Sequence, residues 1–416
     1  MHIGGVRRLI GVASVGATAG LVAACGGGGG SSSPGSGSVT VPNVSISSFD
    51  NSFSAMSQFS SLVQAGKGLV GVILPDTTSS TRYVDFDAPY LTKAFQTAGY
   101  SSSQFKIDNA QGSDATELAD AQSDITLGAS VLVFDPLDST VGSQIQTYAQ
   151  QHGVVAISYD RATFSGTNTY YVSFDNVQVG KLIGQGFLDC VSAWGISSPQ
   201  VFELDGGEDT DPNAISFAQG YNSVIWNSTT TPLSAGTTNT KGMTLVGDQI
   251  TPGWVNAQGQ TIFQQQFTAH PSINATVEAN DGLANAVVTD LKAAGIAAKK
   301  IPTTGQDATL QGMTNVLQGF QCGSVYKPIY KEAQDAVALA TILRAGKTPP
   351  QSLLNGTTSP PHGVTGNQQP ASLLTPTWVT AQNMATTVIS DKFVSASALC
   401  GAVGASVCQA ANVPTS

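Results

Sequence analysis

Residues 131–161 read VLVFDPLDSTVGSQIQTYAQQHGVVAISYDR. Val131–Phe134 is a short apolar run that ends at Asp135-Pro136. Thr140–Gln151 carries apolar residues at helical spacing, and Val154–Ser158 is a second apolar run, ending at Tyr159-Asp160-Arg161. Short runs with no polar alternation, separated by a 10–15-residue helix, predict parallel strands buried on both faces. A parallel pair needs a crossover, and that crossover is right-handed. The same unit recurs on both sides. Upstream lie a strand at Leu69–Leu74, a helix at Asp87–Ala98, a strand at Phe105–Asn109 and a helix at Asp114–Leu127. Downstream, strands are expected at Tyr171–Phe174, Val201–Leu204, Thr244–Gly247, Thr276–Ala279, Ile301–Thr304, Ser324–Tyr326 and Ser372–Thr375. Helices are expected across Val179–Val191, Ala214–Ile225, from Asn256, and over Gly282–Ala294, Thr309–Leu317 and Lys331–Ala345, with a small one at the C-terminus. The sequence therefore describes two α/β halves of similar build.

The chain has 416 residues, 41% of them hydrophobic and only 11% charged, with a net charge of −10. That length fits two or three domains. Seventeen scattered Lys and Arg against 27 acids argue against a nucleic-acid partner, which needs clustered cations. The N-terminus looks like an address. Arg7-Arg8 precedes an apolar segment and Leu21-Val22-Ala23-Ala24-Cys25, the order of an export signal. That ending resembles a bacterial lipoprotein lipobox. The resemblance implies a signal peptide over 1–24 and lipidation of Cys25 as a membrane anchor. Gly26–Ser38 is Gly/Ser with one Pro, and polar character runs on to about Ser48. Residues 25–64 are read as a tether.

Ligands of open α/β sheets sit beyond the carboxyl ends of the strands. Here those ends hold Asp76, Asn109, Asp135, Asp160-Arg161, Asp175-Asn176, Gly206-Gly207, Asn280-Asp281 and Gln306-Asp307. Asp and Asn at such positions also cap the following helix. A cleft lined by carboxylates, amides and a few cations suits a neutral polyhydroxy ligand. Each hydroxyl both donates and accepts, and planar groups bridge vicinal hydroxyls, while aromatic faces cover C–H patches.

Four blocks carry a family resemblance: Ala156-Ile157-Ser158-Tyr159-Asp160-Arg161, Tyr171-Val172-Ser173-Phe174-Asp175-Asn176 with Val179-Gly180, Gly305-Gln306-Asp307-Ala308, and Val325-Tyr326-Lys327-Pro328-Ile329. In this order they resemble the periplasmic xylose-binding proteins of the ribose/galactose class, from about Leu69 to Phe393. The resemblance implies a type I periplasmic binding protein: two Rossmann-like lobes with parallel sheets, joined by a three-segment hinge, that close on one sugar. The implied first lobe is 65–175 plus 324–347. The second is 176–323 plus 370–416, with 348–369 a loop. The implied ligand set is Arg82, Tyr83, Asp160, Arg161, Asn176, Asn213, Trp254, Asn280, Asp307 and Lys327. Tyr83 stands where the family usually has Trp, which leaves pentose against hexose open. In Gly206-Gly207-Glu208-Asp209-Thr210-Asp211-Pro212-Asn213-Ala214, Pro212 replaces an Asn of the family pattern.

Five cysteines are present. Cys25 belongs to the lipobox reading. Cys400 and Cys408 flank a Gly/Ala/Ser loop and are expected to form a disulfide in an exported protein. Cys190 and Cys322 fit equally a second disulfide or two buried thiols. No Gly-x-Ser-x-Gly, His-Glu-x-x-His, Cys-x-x-Cys or phosphate loop occurs, and the histidines are scattered. No enzyme, metal or cofactor is expected. The sequence is thus read as a lipid-anchored, extracytoplasmic, monomeric binding protein for an aldose, D-xylose or D-glucose-like, which delivers it to an ABC permease. The alternative is a sugar-sensing co-receptor that reports to a membrane sensor. A sugar-processing enzyme is the lesser rival.

Overall fold

The apolar runs of the first half become β1 (Leu69–Leu74), β2 (Phe105–Asn109), β3 (Ala129–Phe134), β4 (Val155–Tyr159) and β5 (Thr169–Phe174). The computed structural model describes residues 39–77, 80, 82–208 and 210–415. The expected signal peptide and Cys25 lie outside these residues. The five strands are parallel neighbours in a seven-stranded sheet of order β10 (Gly356–Thr358), β11 (Gln369–Leu374), β5, β4, β3, β1, β2. Helices α1 (Ser60–Ala65), α2 (Ala88–Ala98), α3 (Asp114–Thr126) and α4 (Ser139–Gln151) belong to this lobe. Helix caps set where each crossover turns. Asp138 accepts from the Thr140 and Val141 N–H groups at 2.6 and 2.9 Å and starts α4, satisfying donors that the helix itself leaves open.

The second lobe opens with α5 (Asn176–Ala193), then β6 (Gln200–Gly206), α6 (Pro212–Ile225), β7 (Thr244–Thr251), α7 (Asn256–Ala269), β8 (Ala275–Glu278), α8 (Asp281–Ala293) and α9 (Leu310–Gln318). Its strands form a parallel sheet β7-β6-β8. Helices α5 and α6 pack backbone to backbone. A Cβ at Gly180 would lie 2.0 Å from the Phe217 carbonyl oxygen, and one at Gly220 would lie 2.4 Å from that of Val177. This approach fixes the position of α6, whose first turns carry site residues.

The chain crosses between the lobes three times: at Phe174–Asn176, between β9 (Ser324–Tyr326) and α10 (Ile329–Arg344), and between β11 (Gln369–Leu374) and β12 (Thr377–Val379). The Asp175 N–H donates to the Leu374 carbonyl at 3.1 Å and ties two crossings together. The fold is that of a type I periplasmic binding protein.

Several boundaries differ from the sequence reading. The tether does not extend to residue 64, because Phe49, Phe53, Met56, Phe59, Leu62 and Val63 are buried in the core of the first lobe. These residues recur every three or four positions among Ser and Asn, a helical stripe that the polar composition hid. Strand β11 pairs with β5 in the first lobe, so residues 369–374 do not belong to the second. Strand β9 pairs with β12, and Val325 bridges to Gln306, so the first lobe resumes with α10 rather than at 324. The 348–369 loop carries β10 (Gly356–Thr358), antiparallel to β11. Ile301–Thr304 runs beside β8 without forming a ladder strand. The Thr276 N–H donates to Pro302, but the Glu278 N–H donates to the Thr304 hydroxyl and the Thr304 N–H to the Glu278 carboxylate. Side chains take the place of ladder bonds there.

A C-terminal segment with α11 (Ala396–Val403) and α12 (Ala405–Ala410) packs a separate apolar cluster against Met313, Val316 and Tyr326. Cys400–Cys408 and Cys190–Cys322 are both bonded, the latter joining α5 to the residues before β9.

Candidate functional site

The carboxyl ends of β4, β6 and β8, the turn at Gln306-Asp307 and the second crossing all face one cavity of about 430 Å³, counting open solvent at its mouth, between the lobes. Arg82 is the hub of its first-lobe wall. Its Nε and Nη2 donate to the two Asp87 oxygens at 2.9 and 2.8 Å, its Nη1 to Asp160 at 2.7 Å and its Nη2 also to Glu332 at 2.8 Å. The planar fork of a guanidinium suits this arrangement. Tyr159 donates to Asp87 at 2.5 Å and Tyr83 to Asp160 at 3.2 Å. Arg161 lies over the Tyr83 ring, 5.6 Å from its centroid, and donates to the Pro136 carbonyl at 3.2 Å.

Electrostatics follow from burial. Burial pushes the Asp160 carboxyl up, but Arg82, then Lys327 and Arg161, outweigh it and hold the group below its ordinary range. Burial pushes Glu332 up to about 8 despite Arg82. Burial also drives Asp135 well above the usual carboxylate range, with Asp160 adding to the rise and Arg161, 3.9 Å away, opposing it. The hub thus carries more carboxyl groups than it has positive charge, and the surplus is held as protons.

The second-lobe wall is made differently. Asn280 accepts from the Leu283 N–H at 2.9 Å and caps α8; Asp211 accepts from the Asn213 and Ala214 N–H groups and caps α6. The other Asp211 oxygen receives the Trp254 indole N–H at 3.0 Å. The Trp254 ring rests on Gly206, where a Cβ would lie 2.0 Å from it, and meets Phe217 edge-on at 6.3 Å. Lys327, from the crossing segment, pairs with Asp307 at 3.1 Å and lies 4.0 Å from Asp160. Asp160, Trp254 and Asp307 have φ of 56°, 59° and 88°, a left-handed backbone that non-glycine residues seldom adopt outside tight functional turns.

Bonds between the lobes latch the cleft. The Asn213 amide donates to the Asp160 carbonyl at 2.8 Å and accepts from the Ala162 N–H at 3.2 Å; the Ser139 hydroxyl donates to the Thr210 carbonyl at 2.7 Å.

Of the residues expected at the site, Arg82, Tyr83, Asp160, Arg161, Asn213, Trp254, Asn280, Asp307 and Lys327 line this cavity. Asn176 does not. Its amide donates to the Tyr171 hydroxyl, which donates to the Asp160 carbonyl, so it stands one residue behind the wall. The implied ligand set left out Ser80, Asp211, Phe217 and Gln306, which also line the cavity, although Gln306 was among the strand-end groups. Phe217 was legible, since it lies one helical turn beyond Asn213 on the same face of α6. The Gln306 side-chain amide oxygen is buried with no protein hydrogen-bond partner. Among the described residues no group of three or more His, Cys, Asp or Glu could hold a metal ion.

The periplasmic binding protein domain model matches residues 70–348. The chain belongs to the periplasmic binding protein family. It is 32% identical over 291 residues to the D-xylose-binding periplasmic protein of Escherichia coli, covering 69% of this chain and 80% of that one. It is 29% identical over 343 residues to the multiple sugar-binding periplasmic receptor ChvE of Rhizobium radiobacter, covering 80% and 93%. A carbohydrate transporter solute binding protein from Chloroflexus aurantiacus, solved with D-glucose, shares the fold with a TM-score of 0.67 at 24% identity, covering 80% of this chain and 98% of its own. The family comprises extracytoplasmic solute-binding proteins rather than enzymes. Among the described residues no helix is long and apolar enough to cross a membrane.

Proposed function

We propose that this periplasmic binding protein is the substrate-binding subunit of a sugar ABC importer, holding one aldose, D-xylose or a D-glucose-like hexose, between its lobes. The observation that carries the reading is the convergence on one cavity of Asp160, Arg161, Asp307, Lys327 and Asn280 with the Tyr83, Phe217 and Trp254 rings. Such a set offers paired donors and acceptors to ring hydroxyls and aromatic surface to ring C–H groups. The unpartnered Gln306 oxygen adds an acceptor that a ligand hydroxyl would satisfy. A ligand shifts an open–closed equilibrium only by binding the closed form better. Contacts to Asp160 on one lobe and Trp254 on the other give it that preference. Cys25 then carries the lipid anchor, Gly26–Ser38 the tether, and the closed monomer meets the permease.

Calorimetry against common monosaccharides tests the reading. We expect D-xylose or D-glucose to bind, and Asp307→Ala to abolish it. No heat and no thermal shift with any monosaccharide would overturn it. A second reading, a co-receptor reporting sugar to a membrane sensor, is favoured by one observation, that the Rhizobium radiobacter relative is a multiple sugar-binding receptor. Deletion of the gene separates the two. Loss of labelled-sugar uptake supports the importer; intact uptake with lost sugar-dependent gene expression supports the sensor.

A further inference from the structure

The sugar cavity has a neighbour. A second chamber of about 1150 Å³, including solvent at its mouth, is lined by the first lobe at Asp76 and Pro136–Ser139 and by the second at Gly207, Glu208, Thr210–Pro212 and Gly253–Asn256. Three residues line both chambers: Arg161, Asp211 and Trp254. They form a doorway whose parts are fixed. Arg161 is anchored on the Pro136 and Leu137 carbonyls at 3.2 and 3.4 Å, and Asp211 holds the Trp254 indole at 3.0 Å. A guanidinium, a carboxylate and an indole at a doorway supply what a glycosidic oxygen and its flanking hydroxyls need, donor, acceptor and apolar edge. The chamber beyond offers apolar surface from Leu137, Pro212 and Val255, the last 43% exposed, beside the carboxylates of Asp138 and Glu208.

We propose that the outer chamber is a second sugar subsite, so that the protein takes neutral disaccharides or glycosides with one ring in the inner cavity and the second beyond the doorway. The inference rests on the aldose reading of the inner cavity. The enclosed part of the chamber, about 410 Å³, is within the range of pockets that enclose whole small ligands. Acids outnumber cations on its wall, Arg161 being the one Lys or Arg among its described lining residues, so an anionic second ring is disfavoured.

Calorimetry with D-xylose, D-glucose, xylobiose, cellobiose and cellobiouronic acid tests this on the wild type and on Val255→Trp and Leu137→Trp. These two variants fill the outer chamber from opposite lobes without touching the inner one. We expect at least one neutral disaccharide to bind within tenfold of its monosaccharide. Each Trp variant should weaken that disaccharide tenfold or more and leave the monosaccharide within twofold. Cellobiouronic acid should bind at least tenfold more weakly than cellobiose. If monosaccharides bind and disaccharides do not, the subsite is overturned while the aldose reading stands. Equal weakening of both ligand classes by the Trp variants also overturns it, and equal binding of the neutral and acidic disaccharides overturns the charge assignment. If no sugar of either class binds, the aldose reading falls and the subsite with it.

Discussion

On the first-lobe wall of the cleft, Arg82 makes four hydrogen bonds to three buried carboxylates. On the second-lobe wall Trp254, Asn213 and Asn280 are held by helix-capping bonds, one indole bond and contact with a glycine. The first wall is an ionic network whose members stabilise one another, two of which, Arg82 and Asp160, also line the cavity. The second is a set of single side chains placed by helix starts. Buried ion pairs are costly to break, because the surviving partner is left without compensation; a capping amide or a half-exposed ring leaves little behind. The two walls should therefore answer mutation differently, the first in stability and affinity together, the second in affinity alone.

The largest expected effect is that of Arg82→Met. It strands Asp87, Asp160 and Glu332 in the interior and should cost on the order of 3–5 kcal/mol of folding stability as well as sugar binding. Urea denaturation measures the first and calorimetry the second. Unchanged stability would mean that the network is not structural and would break the contrast between the walls.

Next comes pH. Glu332 is pushed up to about 8 by burial, against the opposing pull of Arg82, from an ordinary 4.5. The native state then holds a proton over that interval that the unfolded chain has released. The associated stability is complete below about pH 4.5 and is lost as pH rises toward 8. Burial places Glu278 at about 8 as well, and Asp335 at about 7, so all three act in the same direction. Thermal melts should show a more stable protein at pH 5 than at pH 8.5. Glu332→Gln mimics the protonated group. It should match the wild type at pH 5 and be the more stable of the two at pH 8.5. A variant destabilised equally at both values would show that the carboxylate is needed ionised.

Trp254→Ala probes the other wall. The ring is partly exposed and its removal frees only Asp211 Oδ2. Affinity for a monosaccharide should fall about 10- to 100-fold, as for a truncated aromatic anchor, with stability changed by no more than about 1 kcal/mol. A large loss of stability would place Trp254 with the core rather than with the ligand.

The same contrast explains what the sequence could tell. Parallel strands buried on both faces leave continuous apolar runs, so β1 is legible to the residue; the half-buried edge strand β2 and the antiparallel β9 were bounded correctly as well. Residues 49–63 were not, because Ser and Asn between the buried positions gave the segment a linker's composition. The wrong lobe for β11 has another cause: which sheet a strand joins after a crossing is decided by pairing across some 200 residues, and no local pattern records it. At the site, an Asp or Asn at a strand end reads equally as a cap or a ligand. Asp175 is a cap, Asn280 and Asp211 are caps that also line the cavity, and Asp160 and Asp307 turn through left-handed backbone. Those conformations are invisible in composition. So are Asp87 and Glu332, 5 and 250 residues away from the arginine they hold, since they never touch the cavity.

Asn176 gives the smallest and most discriminating effect. It lies at the start of α5, where the first crossing enters the second lobe, yet its amide reaches the cavity only through the Tyr171 hydroxyl and the Asp160 carbonyl. The same carbonyl receives the Asn213 amide from across the cleft at 2.8 Å. Asn176 therefore acts on the position of the Asp160 backbone, and Asn213 secures that backbone independently. Removing the Asn176 amide deletes one neutral hydrogen bond, worth about 0.5–1.5 kcal/mol, and leaves the Asp160 carboxylate on Arg82. Asn176→Ala should weaken monosaccharide binding by about threefold to tenfold, with thermal stability nearly unchanged. Asn176→Ala combined with Asn213→Ala should lose more than the two single losses added, because both then release the same carbonyl. A loss of a hundredfold or more from Asn176→Ala alone would instead mean that the amide touches the sugar directly and that the cleft closes further around its ligand.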